Sequence, residues 1–258
     1  MSVASSDRPA IARPGMAVAL VSTVRTDGPD GQRSAGAGVI DYWRQSSWPT
    51  GLVAVSCFCN LDGLSVLIYQ QWRSSADARN ASEGEGAALR AIGFEVDPPI
   101  EYDLYRTVRG SGVSDPPPLA ECFPVAILAV EQDESGREKI DQMLAAEEAM
   151  AGTRREYPGG IAAHMHVSAD DSSVFVLSEW VSAELQAAHA EGVWQELLAK
   201  NGHRALHEDA SALGDRYWHY RTVSAVSRDV VASSAGSTHR EFDQSEETNS
   251  DERDTLLT

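Results

Sequence analysis

The chain has 258 residues, 39 acidic against 21 basic, a formal net charge of −18 and 42% apolar residues. A single-sign excess of that size repels nucleic acid and anionic membranes and suits a neutral or cationic small partner. No apolar run reaches the roughly 18 residues of a membrane span; the N-terminus lacks the apolar core of a secretory signal; and Cys57, Cys59 and Cys122 form neither a CxxC motif nor a disulfide framework, so a cytoplasmic protein with reduced thiols is expected.

In chain order, residues 1–14 form an extension. Residues 16–24 are short, apolar and β-branched, which predicts a strand. A turn and a Gly-rich helix follow over 28–47. Residues 51–59 and 64–72 predict a hairpin around Asp62-Gly63. The Ala-rich stretch 74–92 predicts one helix, and 100–108 a fourth strand. Residues 111–121 carry Pro116-Pro117-Pro118, a stiff spacer. Beyond it, 123–130 predicts a strand and 135–150 a helix with Ile140, Met143 and Leu144 on one stripe. Residues 161–167 and 173–180 predict a second hairpin. Ser182 suits the N-cap of a helix to about residue 200, and 216–226 is the last strand. The Ser-, Glu- and Asp-rich segment 229–258 reads as a disordered acidic tail.

The two halves repeat with a period of about 110 residues. Trp48-Pro49-Thr50-Gly51 matches Tyr157-Pro158-Gly159-Gly160, Trp72 matches Trp180, and Tyr105-Arg106-Thr107-Val108 matches Tyr220-Arg221-Thr222-Val223. Each half reads β-α-β-β-α-β, the ferredoxin-like order. The expected fold class is α+β: two tandem ferredoxin-like units, 15–110 and 122–228, whose sheets pack into one intra-chain β-barrel with helices outside. Recurrence of Arg106 and Arg221 suggests a structural ion pair across that barrel.

The strand-end motif carries a family resemblance. It reads Tyr69-Gln70-Gln71-Trp72-Arg73-Ser74 in the first copy and Leu177-Ser178-Glu179-Trp180-Val181-Ser182 in the second, which keeps Trp and Ser but loses Tyr. Set in this repeat, it resembles the antibiotic-biosynthesis monooxygenases, a family of dimeric α+β barrels, over residues 15–228. The two-copy form is similar to the ring-opening oxygenases of angucycline pathways (jadomycin, gilvocarcin, kinamycin and fluostatin types). The resemblance implies oxidative C–C cleavage of a polycyclic phenol or hydroquinone, an aromatic polyketide, by O₂. It implies reduced flavin (FAD or FMN) as a diffusible co-substrate from a flavin reductase, or no cofactor, and no metal. Further homodimerisation is left open. The cofactor-free anthrone oxygenases accompany the motif Trp with an Asn four residues before it and a Tyr six after. Here those positions hold Ile68 and Ala78, or Val176 and Gln186 in the second copy, a departure that leaves room for a flavin-assisted reaction. A haem-degrading relative would need an Asn on the first strand, which neither copy offers, and a His after the Trp, where His189 is roughly placed.

Candidate site residues follow from this chemistry. His164 and His166, spaced i, i+2, share a strand face and titrate near neutrality, so one of them suits a general base for a phenol; as a metal pair they lack a third ligand nearby. Trp72 and Trp180 line a substrate slot or pack under helices. Tyr69, Gln70, Ser178, Trp43, Trp194 and His219 are candidate substrate contacts, each with an ordinary core or edge role as its alternative. No GxGxxG or Walker loop occurs. The alternatives are a cofactor-free quinone-forming monooxygenase, a non-catalytic polyketide-binding protein and a cyclase.

Overall fold

The computed structural model describes residues 3–6, 9, 11–81, 83–91, 93–110, 113–131, 133–151, 157–201 and 215–225. Met1–Val226 form one compact unit; the acidic tail lies outside the described residues. The elements are β1 (Val3–Ser6), β2 (Val18–Arg25), α1 (Pro29–Gln45), β3 (Leu52–Asn60), β4 (Ser65–Trp72), α2 (Ser75–Ala81), α3 (Glu83–Ala91), β5 (Glu95–Val96), β6 (Ile100–Arg109), β7 (Phe123–Ala129), α4 (Gly136–Ala151), β8 (Gly160–Ser168), β9 (Ser173–Trp180), α5 (Ala183–Asn201) and β10 (Asp215–Ala225). Helix covers 75–81 and 83–91, within the stretch 74–92 where the sequence predicts it. Among the described residues, no helix is long and apolar enough to cross a membrane.

Eight antiparallel strands close in the order β10-β3-β4-β2-β6-β8-β9-β7 and back to β10, with β1 added to β10 and β5 to β2. The fold is α+β, a closed barrel with helices outside, as the repeat predicts. The last strand of each half joins the two copies. In the first copy β6 pairs with β2 through Ile100–Asp103 and then runs on along β8 of the second. In the second copy β10 pairs with β7 through Asp215–Tyr217 and runs on along β3 of the first.

The repeated Tyr-Arg-Thr-Val marks that crossover. Each copy has a register shift at its Tyr, between Leu104 and Arg106 and between His219 and Arg221. Such a bulge re-aims the strand. Both tyrosines then turn outward onto the other copy's helix: Tyr105 Oη donates to Asp141 of α4 at 2.9 Å, and the Tyr220 ring packs over Gly36 of α1, where a Cβ would meet it at 3.2 Å. Both threonines bond the other copy's hairpin strand, Thr222 with Ser56 at 2.7 Å and Thr107 with His164 at 3.1 Å. Arg106 pairs with Asp141 on exposed surface.

The Trp-x-Ser motif has a local cause as well. Ser74 Oγ accepts from Asp77 N at 3.1 Å and Ser182 Oγ from Leu185 N at 3.3 Å, so each Ser caps the helix after the Trp strand. Ser135 and Glu138 form a reciprocal capping box at α4.

Alternation divides every barrel strand between two environments. The barrel interior, filled as an eight-stranded barrel should be, holds Phe58, Tyr69, Tyr102, Phe123, Phe175, Leu177 and Tyr217. The outer face of the first copy carries Val55, Cys57, Cys59, Ile68 and Trp72 against Val39, Ile40 and Trp43 of α1 and Leu89 of α3. Covered on both sides, β3 and β4 are buried almost end to end.

Candidate functional site

On the outer face of the first copy, β4 presents Ile68, Gln70 and Trp72 toward the helices. Trp72, fully buried, donates its indole N–H to Gln70 Oε1 at 3.1 Å. Gln70 in turn donates from Nε2 to Glu85 Oε2 at 2.5 Å. Trp43 of α1 donates its own indole N–H to Glu85 Oε1 in a very short contact. Glu85 belongs to α3 and is 3% exposed.

Its carboxyl is therefore held between two donors in a space walled by indole rings. Burial pushes it up to about 7, against the opposing pull of the Trp43 and Gln70 hydrogen bonds. Cys57, buried beside it on β3, has its thiol pushed well above the usual range, first by burial and then by the Glu85 charge.

This carboxyl adjoins a cavity of about 220 Å³. Gln70 and Glu85 meet it, Ser22 comes from β2, Arg90 from the end of α3, Val96 from β5, and Asp97, Pro98 and Pro99 from the loop into β6. A buried acid that titrates near neutrality, fixed by two donors beside a cavity, can take up or release a proton there.

The matching register of the second copy puts Ser178 where Gln70 stands and Trp180 where Trp72 stands. Ser178 has no amide to hold a carboxyl. Trp180, 7% exposed, packs on His189 at 5.0 Å, and His189 meets Tyr157 at 4.8 Å. The side chain of Trp194 lies outside the described residues.

Tyr69, His164, His166 and His219 turn the other way, into the barrel. His166 is fully buried; its Nδ1 donates to Phe175 O at 3.2 Å, and Nε2 accepts from Tyr69 Oη at 2.9 Å. Burial first, and the neighbouring His164 second, push its imidazole down to about 3, so it stands neutral. Burial pushes the Tyr69 phenol upward. His164 is 4% exposed, with Nε2 on Glu179 Oε1 at 2.8 Å and Nδ1 on Thr107 Oγ1 at 3.1 Å. His219 bonds Thr222 at 2.9 Å and packs on Phe58 and Phe123.

The sheet thus separates the sequence-predicted residues into groups. Trp43, Gln70 and Trp72 converge on Glu85; Trp180 and Ser178 occupy the equivalent place in the second copy; Tyr69, His164, His166 and His219 meet inside the barrel. Glu85, Arg90 and Ser22 were not singled out by sequence reasoning. In the Ser82-Glu83-Gly84-Glu85-Gly86 stretch the one signal for Glu85 is that it lies four residues before Leu89, on the buried stripe.

No family model matches the chain, and a search of curated proteins gives no match. Solved structures do match in shape. An anthrone oxidase-like protein superposes with a TM-score of 0.59 at 15% identity, over 83% of this chain and 95% of its own. A monooxygenase-like protein from Listeria innocua gives 0.40 at 13% identity over 80% and 95%. A ferredoxin-fold protein related to antibiotic biosynthesis monooxygenases, from Listeria monocytogenes, gives 0.37 at 10% identity over 82% and 96%. At these identities the shared property is the fold, and the anthrone oxidase-like structure is the one of these three similar enough to carry that statement.

Proposed function

We propose that the chain is an oxygenase acting on a polycyclic phenol or hydroquinone of the aromatic polyketide class, with its reactive site in the first copy. The observation that carries this reading is Glu85: a buried carboxyl near neutrality, held by indole and amide donors at a cavity between sheet and helices. O₂ is a triplet and reacts poorly with closed-shell carbon, but an ionised phenol can pass it an electron. Removing the phenolic proton is therefore the protein's task, and the ionised Glu85 is placed to accept it. Gln70 and Trp43 hold the acceptor in place. Arg90 at the cavity wall offers positive charge to the phenolate, on the same wall as the acidic Asp97.

Two outcomes are chemically distinct. In the quinone-forming one, a ring CH₂ becomes a carbonyl with one oxygen atom of O₂, and the other leaves as water with the substrate's two hydrogens. In the ring-opening one, inserting an oxygen atom and releasing water takes two further electrons, from reduced FAD or FMN supplied by a separate reductase. The resemblance of the two-copy chain supports ring opening. The cavity supports the first outcome: about 220 Å³ is short of the roughly 300–1,000 Å³ of ligand pockets. It does not hold a tricyclic flavin ring beside a polycyclic substrate.

The test is oxygen uptake and product analysis with a polycyclic hydroquinone, with and without FAD, NADH and a flavin reductase. Product without flavin selects quinone formation; product only with reduced flavin selects ring opening. Glu85→Gln should lower kcat/KM by roughly 10²-fold or more. Full activity in that variant removes Glu85 as the base. Absence of product under both conditions removes the oxygenase reading in favour of a binding protein or cyclase.

A further inference from the structure

Trp43 does more than fill space beside Glu85. Its ring, 1% exposed, makes edge contacts with Tyr42 at 5.0 Å and 82° and with Trp48 at 6.0 Å and 66°. Tyr42 and Trp48 are both partly exposed, and Trp48 is anchored by its indole N–H on Leu52 O at 2.7 Å. A continuous aromatic path therefore runs from the buried carboxyl toward solvent. The second indole at the site differs in one respect: Trp72 donates its N–H to the neutral amide of Gln70, whereas Trp43 donates to a carboxyl. An indole loses an electron far more readily when a base at its nitrogen takes the proton.

We propose that Trp43, with Tyr42 and Trp48, is a one-electron exit route that carries stray oxidising equivalents out of the Glu85 cavity. The proposal rests on the oxygenase reading. When O₂ takes one electron from the ionised substrate, a phenoxyl radical and superoxide form together. Radicals that fail to recombine oxidise the wall of the cavity. Glu85 first passes the phenolic proton to superoxide and is a carboxylate again; Trp43 then gives one electron to the hydroperoxyl radical so formed, which leaves as hydrogen peroxide with a proton from solvent, and the indole N–H bond breaks as its proton passes to Glu85. Trp48 or Tyr42 then reduces the indolyl radical, and Glu85 returns the proton to Trp43. The surface radical, having lost its own proton to solvent, is reduced by a soluble thiol, whose hydrogen atom restores it while two thiyl sulfurs join as a disulfide. No bond in the protein is permanently changed.

Flash photolysis tests the route without any substrate. A ruthenium tris-bipyridine sensitiser with a cobalt(III) acceptor oxidises surface aromatics of the intact protein, and optical and electron paramagnetic resonance spectra report the radical. A deprotonated indolyl radical should form in the wild type and be lost in Trp43→Phe. Tyr42→Phe with Trp48→Phe, at partly exposed positions, should slow its formation several-fold, which keeps the test decisive if Trp43→Phe fails to fold. In turnover with a polycyclic hydroquinone, that double variant should start at the wild-type rate. It should inactivate after several-fold fewer turnovers, with oxygenated Trp43 in peptide mass maps. An unchanged indolyl signal in Trp43→Phe, or unchanged radical kinetics in the double variant, overturns the route. If no hydroquinone is oxidised, the oxygenase reading fails on its own while photolysis still decides whether the path conducts.

Discussion

Replacing Glu85 with Gln isolates the charge at the centre of the site. In the fold its carboxyl titrates near 7, against an ordinary value of 4.5. Between those two pH values the folded protein keeps a proton that the unfolded chain has lost. Its contribution to stability is therefore full below about pH 4.5 and is lost as pH rises through about 7. At about 1.4 kcal/mol per pH unit, the gap is worth about 3 kcal/mol. Glutamine keeps the shape and one acceptor but cannot accept from both Trp43 and Gln70, which costs about 1–3 kcal/mol independently of pH. The informative quantity is thus the change with pH. Urea unfolding of both proteins at about pH 4 and about pH 8 should show wild type minus variant falling by about 3 kcal/mol across that range. His166 and the other titrating groups are common to both proteins and cancel in the difference. A variant with the same pH slope as the wild type would refute the argument, because the buried carboxyl would then titrate like a solvated one.

The other predictions concern the barrel and the site's donors. His166 titrates near 3 in the fold against 6.5 outside it, so wild-type stability should fall as pH drops from about 6.5 to about 3, by on the order of 5 kcal/mol. His166→Gln should flatten that limb in an acid titration followed by tryptophan fluorescence; an unaltered acid midpoint would count against a neutral buried imidazole. Gln70→Leu removes a donor that holds the Glu85 carboxyl down, so the rising limb of kcat/KM against pH should move to higher pH, and a shift to lower pH would contradict the assignment. At the crossover, Ser56→Ala and Thr222→Val should each cost about 1 kcal/mol in urea unfolding, and the double variant less than their sum because one hydrogen bond is lost once; strict additivity would mean that the pair contributes no coupling.

Much of the architecture was legible because each repeated motif has a local physical cause. Trp-x-Ser recurs because the strand must end on a buried ring and the next helix must be capped, and neither job depends on the rest of the fold. Tyr-Arg-Thr-Val recurs because both last strands bulge at the same point, turning Tyr onto a helix and Thr onto the opposite hairpin. The crossover itself was not legible: the repeat says that two sheets share a cover, but the pairing of β6 with β8 and β10 with β3 is fixed by contacts between residues more than fifty positions apart. The site was legible in part. Strand alternation already sets Tyr69 and Gln70 on opposite faces, so one slot cannot be lined by both, and the structure puts one in the barrel and the other under the helices. Glu85 was hidden because a carboxylate in a Gly-rich, weakly amphipathic helix looks solvated until α1 and β4 are packed against it.

The two copies have diverged on opposite faces of the same sheet. On the outer face the first copy keeps the polar constellation, Gln70 with Glu85, where the second has Ser178. Inside the barrel the second copy is the polar one: His164, His166 and Glu179 stand in register with Ser56, Phe58 and Gln71. A carboxylate inside the barrel needs a partner, and Glu179 has one in His164; the matching Gln71 is neutral and donates instead to Ile11 O of the segment leading into β2. Each face therefore carries a carboxyl-centred network: under the helices the buried Glu85 with amide and indole donors, and in the barrel the half-buried Glu179 with an imidazole. A carboxyl drawn partly out of water needs a donor, which is reason enough for the His164–Glu179 pair to persist as structure. What separates Glu85 from it is the adjoining cavity, and that is why the proton chemistry is assigned to the first copy's outer face.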